Sequence, residues 1–291
     1  MTGPPLRLHI DPNATPVAHH KPIPVPIHIQ DPVKDTLDEN CTMEVLEKVE
    51  PGVETTWCAQ MVPSLKKNGK VRLTIDFQGL NKCAKRETHH TPSPFHQACA
   101  VPADMRKTTF DAWNGYHSLA LHPDDRHLTT FISPWGRYRH KKAPQGYIAT
   151  GDAYTSRFDA IVAHVPNKTK IIDDSLHWAP TINENFFQAV EWLDICGHNG
   201  IILTPEKFKF GRKQVDFAGF EITMDSIRPT AEFLSSIENF PTPSSIIDLR
   251  AWCGLLNHAA YAFASAPHQP FRELHKPKTT FEWNTALEEL F

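Results

Sequence analysis

The 291-residue chain has no CxxC pair, no apolar segment at its start and no run approaching eighteen apolar residues. Its six cysteines, at 41, 58, 83, 99, 196 and 253, are scattered, which argues for reduced thiols and against secretion or a disulfide framework. The missing apolar run excludes a membrane-spanning helix. Seventeen histidines are present, but none stands at zinc-ligand spacing with cysteine, so they are expected as surface or packing residues. There is also no excess of positive charge: a formal net charge of −3 provides no overall attraction for nucleic acid. What is present is the 40% apolar and 22% charged composition of a globular protein able to bury a sizeable core. Its charge is uneven. Asp31 to Glu54 carries eight acidic residues against Lys34 and Lys48, and Met61 to His90 carries seven basic residues against Asp76 and Glu87. A phosphate-facing surface can therefore be local.

Chemistry concentrates between Thr169 and Trp178, where Asp173 and Asp174 sit among β-branched and apolar residues that read as the two strands of a hairpin. Ladder hydrogen bonds on either side would fix both carboxylates in space, although paired aspartates at a turn can equally cap or solvate it. A third carboxylate, Asp111, ends the strand-like run from Thr108, just before the turn signal Asn114-Gly115. One carboxylate on one strand and two on a neighbouring hairpin can hold two divalent ions, the arrangement that clamps the attacking and leaving oxygens of a phosphoryl displacement. Magnesium suits such a site because it keeps few protein carboxylates and completes its shell with water and phosphate oxygens; manganese is the alternative.

The rest of the chain reads as short alternating elements. Met1 to about Gln30, rich in proline and histidine, is an extended strap or a disordered lead-in, a plain linker being the simpler reading. Asp31 to Val49 reads as an acidic helix with Val33, Leu37, Met43, Val45 and Leu46 on its apolar side. Cys58 to Val62 and Val71 to Phe77 read as strands joined through Asn68-Gly69, with lysines at the tip. Phe95 to Ala100 is a short helix candidate. Strand-like stretches flank Pro134-Trp135-Gly136, and Arg137, Arg139, Lys141 and Lys142 beside Trp135 and Tyr138 suit a single nucleic-acid strand or a solvated edge. A helix from Thr150 places Tyr154, Phe158, Ile161 and Val162 on one face. Another follows the capping box Thr181-x-x-Glu184, with Phe186, Ala189, Val190, Leu193 and Cys196 as its expected buried stripe. A strand from Ile201 to Leu203, a hairpin through Phe208 to Ile222, and helices Ala231 to Phe240 and Ile246 to His258 complete the chain. The last helix opens on Ser245-x-x-Asp248 and has Leu249, Trp252, Cys253 and Leu256 on one face.

Several motifs occur in a recognisable order: Leu80-Asn81-Lys82, Asp111 with Tyr116 five positions on, Ala143-Pro144-Gln145-Gly146-Tyr147, Ile171-Ile172-Asp173-Asp174, and the hairpin carrying Phe217, Gly219 and Phe220. From Trp57 to Trp283 the chain resembles the reverse transcriptases of gypsy-type LTR retrotransposons and, more distantly, retroviral ones. The resemblance implies catalytic, metal-holding roles for Asp111, Asp173 and Asp174 with two magnesium ions. It implies triphosphate contacts by Arg72 with Lys66 or Lys67, a sugar-packing ring at Tyr116 that excludes ribonucleotides, and nucleotide and template contacts by Gln145. Phe217, Gly219 and Phe220 would seat the primer's 3′ end, Ile171 and Ile172 would meet that end, and Arg137 and Arg139 would follow the template. One departure stands out: Ile171 occupies a position that is usually aromatic in the family, which bears on contact with the primer.

The implied fold is α+β, a right-hand polymerase. A strap and acidic helix (1–56) precede fingers (57–105 and 124–148), palm (106–123 and 149–228) and thumb (229–279), and 280–291 leads toward an RNase H-like domain. The implied reaction is RNA-directed DNA synthesis, with a primed RNA or DNA template and dNTPs as partners and no membrane. Protease, RNase H and integrase domains are expected in a full Pol polyprotein but have no motif in this chain. The expected place is a cytoplasmic virus-like particle or the nucleus. Two competing readings are a catalytically inactive relic that keeps the fold and nucleic-acid binding, and an RNA-dependent RNA polymerase, against which Tyr116 argues.

Overall fold

The computed structural model describes residues 1–65, 69–113, 115–259, 271, 274 and 281–291. In chain order come α1 (Gln30–Thr42), β1 (Leu46–Lys48), β2 (Ala59–Leu65), β3 (Val71–Ile75), α2 (Gln78–Asn81), α3 (Pro94–Cys99), β4 (Arg106–Asp111), β5 (Phe131–Ser133) and β6 (Gly136–His140). Then follow α4 (Thr150–Val162), β7 (Lys168–Ile171), β8 (Asp174–Ala179), α5 (Ile182–His198), β9 (Lys209–Arg212), β10 (Val215–Phe217), β11 (Phe220–Ile222), β12 (Ile227–Pro229), α6 (Ala231–Glu238) and α7 (Ile246–Ala259). A further helix covers Thr285–Leu290. The chain divides into two compact units. One comprises Met1–Thr91, Ala112–Val165 and Trp192–Thr204, the other Pro92–Asp111, Pro166–Glu191 and Pro205–Phe291.

The first unit is built on a five-stranded sheet in the order β1-β6-β5-β2-β3, antiparallel except for β2 with β5. The hairpin expected around Asn68-Gly69 is present, in register from Met61↔Ile75 to Leu65↔Val71. Gly69, at φ +78°, supplies the left-handed residue this turn needs. Lys66, Lys67 and Asn68 lie outside the described residues. α1 buries Val33 and Leu37 completely but stops at Thr42, short of the expected Val49. Glu44 turns to φ +55°, and Leu46–Lys48 pairs with β6 instead, so strand pairing wins over helical continuation. The proline-rich start runs along the first unit with intermittent pairing. It forms isolated bridges Leu6↔Leu121, Ile10↔Ala84 and Ala18↔Cys58, and its terminal ammonium donates to the Ser118 carbonyl at 2.6 Å. Proline lacks an N–H, which is why the pairing stays intermittent. The expected strand at Ile201 to Leu203 reduces to one bridge, Leu203↔Ala112, beside the bond from the Trp113 amide to the Ile202 carbonyl.

The second unit holds a four-stranded antiparallel sheet, β7-β8-β4-β9, and a three-stranded one, β10-β11-β12. Leu176, Trp178, Val215, Phe217, Phe220 and Ile222 form its core with Ala98 and Val101. Each is an alternate position on a short strand or lies on or just after α3, so period-2 patterning fills one face of each sheet. Thr230 caps α6 through the Phe233 amide, and α7 buries Leu249 and Trp252 as its apolar stripe leads one to expect.

α5 starts where its capping box places it, with the Glu184 amide donating to Thr181 Oγ1 at 3.2 Å, but its buried stripe differs from the expected one. Asn185, Ala189, Trp192 and Cys196 are buried, whereas Phe186, Val190 and Leu193 are exposed. Two apolar stripes compete on this helix. The one that buries the large Trp192 indole and lets Asn185 accept from the Thr108 hydroxyl at 2.5 Å prevails.

Candidate active site

β4 and β8 run antiparallel in unbroken register from Arg106↔Ala179 to Asp111↔Asp174. The two aspartates are thus a directly opposed cross-strand pair at the end of the sheet. Like charges in that position destabilise a sheet unless something offsets them. Here the offset comes from Lys207, whose Nζ donates to Asp111 Oδ2 at 2.6 Å from the turn before β9. Asp111 itself is buried. Burial, then the hydrogen bond and charge of Asp111, push the Asp174 carboxyl up to about 6, with Lys207 opposing the shift. The Lys207 ammonium is raised in turn, mainly by its hydrogen bond to Asp111.

Asp173 lies in the loop between β7 and β8. Because Ile171 pairs with Asp174, that loop is only two residues long, Ile172 and Asp173. Ile172 takes φ +52°, where glycine is usual in a tight hairpin and a β-branched residue is an outlier. Ile171 packs against the second unit's core, and Ile172 is exposed. A cavity of about 260 Å³ opens beside the carboxylate pair, lined by Asp111, Asp174, Glu206, Lys207, Lys209 and Asp216 along with Phe217 and Ala218. Among the described residues no three His, Cys, Asp or Glu side chains are gathered into a ready metal-binding group. The structure gathers two carboxylates and an ammonium, with Asp173 next to them in sequence. This donor set is all oxygen and already draws a cation, so it fits a hard divalent ion.

Of the expected primer-contacting residues, Phe217 and Phe220 are core side chains of the β10–β11 hairpin. Its two-residue loop, Ala218-Gly219, has both φ values positive, +53° and +86°, the pattern of a type I′ turn. In the first unit Arg72 and Gln145, both exposed, line one cavity of about 480 Å³ together with His117 and His140. Tyr116 sits in a 3₁₀ turn, Gly115–Ser118, with its ring edge-on to Tyr154 at 5.5 Å. Arg139 is paired with Glu47 at 2.5 Å, and Arg137 donates to the Val53 carbonyl at 2.9 Å and to Thr55. The expected Lys66 and Lys67 lie outside the described residues. Sequence reasoning missed Lys207. No local signal marks it, because 96 positions separate it from Asp111.

No family model matches the chain. It is 26% identical over 210 residues to the Pro-Pol polyprotein of feline foamy virus, which covers 71% of this chain and 18% of the relative. It is 28% identical over 199 residues to a putative enzymatic polyprotein of cassava vein mosaic virus, covering 67% and 30%. Against the enzymatic polyprotein of cauliflower mosaic virus (strain Strasbourg) the figures are 23% over 197 residues, covering 67% and 29%. The chain thus matches between about a fifth and a third of the length of these relatives. Among solved structures, a foamy viral protease-reverse transcriptase in complex with double-stranded DNA matches 97% of this chain and 51% of its own, at 19% identity and a TM-score of 0.78. The same kind of protein in complex with an RNA/DNA hybrid matches 97% and 39%, at 20% identity and a TM-score of 0.76. These likenesses show the fold: an α+β polymerase fold.

Proposed function

We propose that the chain is the reverse transcriptase portion of a Pol-type polyprotein of a gypsy-type LTR retrotransposon, an RNA-directed DNA polymerase. The observation that carries the reading is the opposed pair Asp111 and Asp174 at the sheet end, with Asp173 on the adjoining two-residue loop. Polyprotein relatives in foamy and plant viruses and the polymerase fold support it. In this reading Asp111, Asp173 and Asp174 hold two magnesium ions, for which manganese substitutes. Bound there, the ions supply Lewis-acid stabilisation to the attacking and leaving oxygens of a phosphoryl transfer. Lys207, which holds Asp111 Oδ2, would compete with such ions for that oxygen. The reaction joins a primer 3′-hydroxyl to the α-phosphorus of a dNTP and releases pyrophosphate. Arg72, with Lys66 or Lys67, takes the triphosphate; Tyr116 packs on the sugar; Gln145 contacts the nucleotide and template. Ile171, Ile172, Phe217, Gly219 and Phe220 shape the support for the primer end. Template contact by Arg137 and Arg139 would exchange their present partners, Thr55 and Glu47, for phosphates.

The fragment's proposed partners are a primed RNA or DNA template and dNTPs, with protease, RNase H and integrase supplied by the rest of the polyprotein. No helix among the described residues is long and apolar enough to cross a membrane. The test is extension of a DNA primer on an RNA template with magnesium, run beside Asp111→Asn. Extension by the parent chain and a loss of at least about a thousandfold in the variant is the expected result. A second reading, the inactive relic, is favoured by Ile171 in the usually aromatic position and by Lys207 seated on Asp111. It predicts binding of the primed template without extension by either protein.

A further inference from the structure

The tip that carries Asp173 is strained, and strain of this kind persists only when the surroundings over-determine it. Ile172 is β-branched and takes φ +52°. The group that holds it is on the preceding strand: Lys170 Nζ donates to the Ile172 carbonyl oxygen at 3.1 Å. Lys170 is only 8% exposed, a rare state for a lysine and one that requires partners for its charge. Register fixes where its side chain lies. Lys170 pairs with Ser175, and Ser175 with Phe110, whereas Ile171 pairs with Asp174, and Asp174 with Asp111. Directly paired residues share a face and neighbours alternate, so Lys170 stands on the reverse face from Asp111 and Asp174. Its influence on Asp111 and Asp174 therefore runs through the backbone.

We infer that Lys170 is a positioning residue: its ammonium clamps the strained Ile172 carbonyl and thereby sets the orientation of Asp173. The peptide between Ile172 and Asp173 is planar, so fixing the carbonyl oxygen also fixes the Asp173 amide on its opposite side and the direction in which the Asp173 Cα leaves the strand. A clamp of this kind is unnecessary where the backbone takes a left-handed conformation without strain, and that supplies the test. The inference rests on reading the carboxylates as a polymerase centre only for its catalytic consequence; the clamp itself can be measured without turnover.

Hydrogen exchange of the Asp173 and Asp174 amides in the full chain is compared for four proteins: parent, Lys170→Met, Ile172→Gly and the double variant. Lys170→Met is expected to speed exchange at the tip about tenfold in the parent background and less than about twofold in the Ile172→Gly background, where glycine removes the strain. Equal effects in both backgrounds, or none in either, overturn the clamp. If Lys170→Met does not fold, Lys170→Gln, which keeps a donor, takes its place in the cycle. It is expected to exchange within about threefold of the parent, and a larger rise that persists with Ile172→Gly overturns the inference. In primer extension Lys170→Met should lower kcat about tenfold with the KM for dNTP within about twofold, since it displaces a catalytic group without touching substrate. A rise in KM alone would assign Lys170 to nucleotide binding and overturn the positioning role. Absence of extension by the parent chain removes the proposed function, while the exchange cycle still decides the clamp.

Discussion

Lys207 is the residue that offsets the repulsion between Asp111 and Asp174. Two opposed carboxylates repel, and its ammonium donates to one of them, Asp111. Because the Lys207 side chain is 63% exposed, the pair is screened, and Lys207→Met should lower metal-free stability by only about 0.5 kcal/mol. The informative measurement is the gain in unfolding temperature on adding manganese, which should be larger in the variant than in the parent, because the ion no longer competes with a tethered ammonium. An equal gain in both would place the metal away from Asp111. The positions of Asp111 and Asp174 at strand ends were legible in the sequence from the β-branched runs they close. Lys207 was not, since only the fold brings β4 to the turn before β9, and neither was the left-handed Ile172, whose side chain gives no hint of its φ. A second residue-scale property is acid sensitivity. Burial, then the nearby His117, pushes the His140 imidazole down to about 3, and burial followed by Lys168 does the same for His177. The unfolded chain binds these protons from about pH 6.5 downward, whereas the folded one refuses them until about pH 3. Stability is therefore present above pH 6.5 and is lost as pH falls through that window, by on the order of 3 kcal/mol per group by pH 4. Urea midpoints across this range should fall for the parent and fall less for His140→Phe, whose ring suits a site already flanked by Phe77 and Phe131.

At the scale of elements, the hairpin around Asn68-Gly69 followed its turn chemistry and α5 its cap, while the β7–β8 and β10–β11 turns and some buried faces did not follow theirs. α5 shows why. Period-3.6 patterning locates a helix, but a helix with two apolar stripes leaves the choice of face to its neighbours, here Thr108, which holds Asn185. α1 shows the complementary limit, because a strand edge on β6 was available to residues that would otherwise have prolonged the helix. The β10–β11 turn offers a direct test of element chemistry. A type I′ turn favours Asn-Gly, yet the chain has Ala218-Gly219 with Ala218 at φ +53°. Ala218→Asn should stabilise the chain by about 0.5–1 kcal/mol, read as a higher urea midpoint at unchanged slope, because asparagine tolerates the left-handed region that alanine enters at a cost. A lower midpoint would mean that the turn is not held in this conformation in solution.

At the scale of the whole molecule, the charge balance sets how the chain meets a polyanion. In the proposed function a net charge of −3 gives no overall field that draws nucleic acid in, so attraction would come from basic segments such as Met61 to His90, against the acidic stretch from Asp31 to Glu54. Asp35 and Glu54 are both exposed. Their charges therefore act through solvent, over a distance that salt controls, with a screening length of about 10 Å at 0.1 M. Asp35→Asn with Glu54→Gln should accelerate association of a primed RNA/DNA hybrid about threefold at low salt and leave dissociation nearly unchanged, because steering alters the encounter and not the final contacts. Stopped-flow binding at rising salt checks this. The two proteins should converge as salt screens the difference, whereas an acceleration that persists in high salt would mean that one of these side chains obstructs the nucleic-acid surface directly. The same experiment with Asp111→Asn should show unaltered association, since that carboxylate is buried and paired with Lys207; faster hybrid binding by this variant would make the aspartate pair part of the electrostatic barrier.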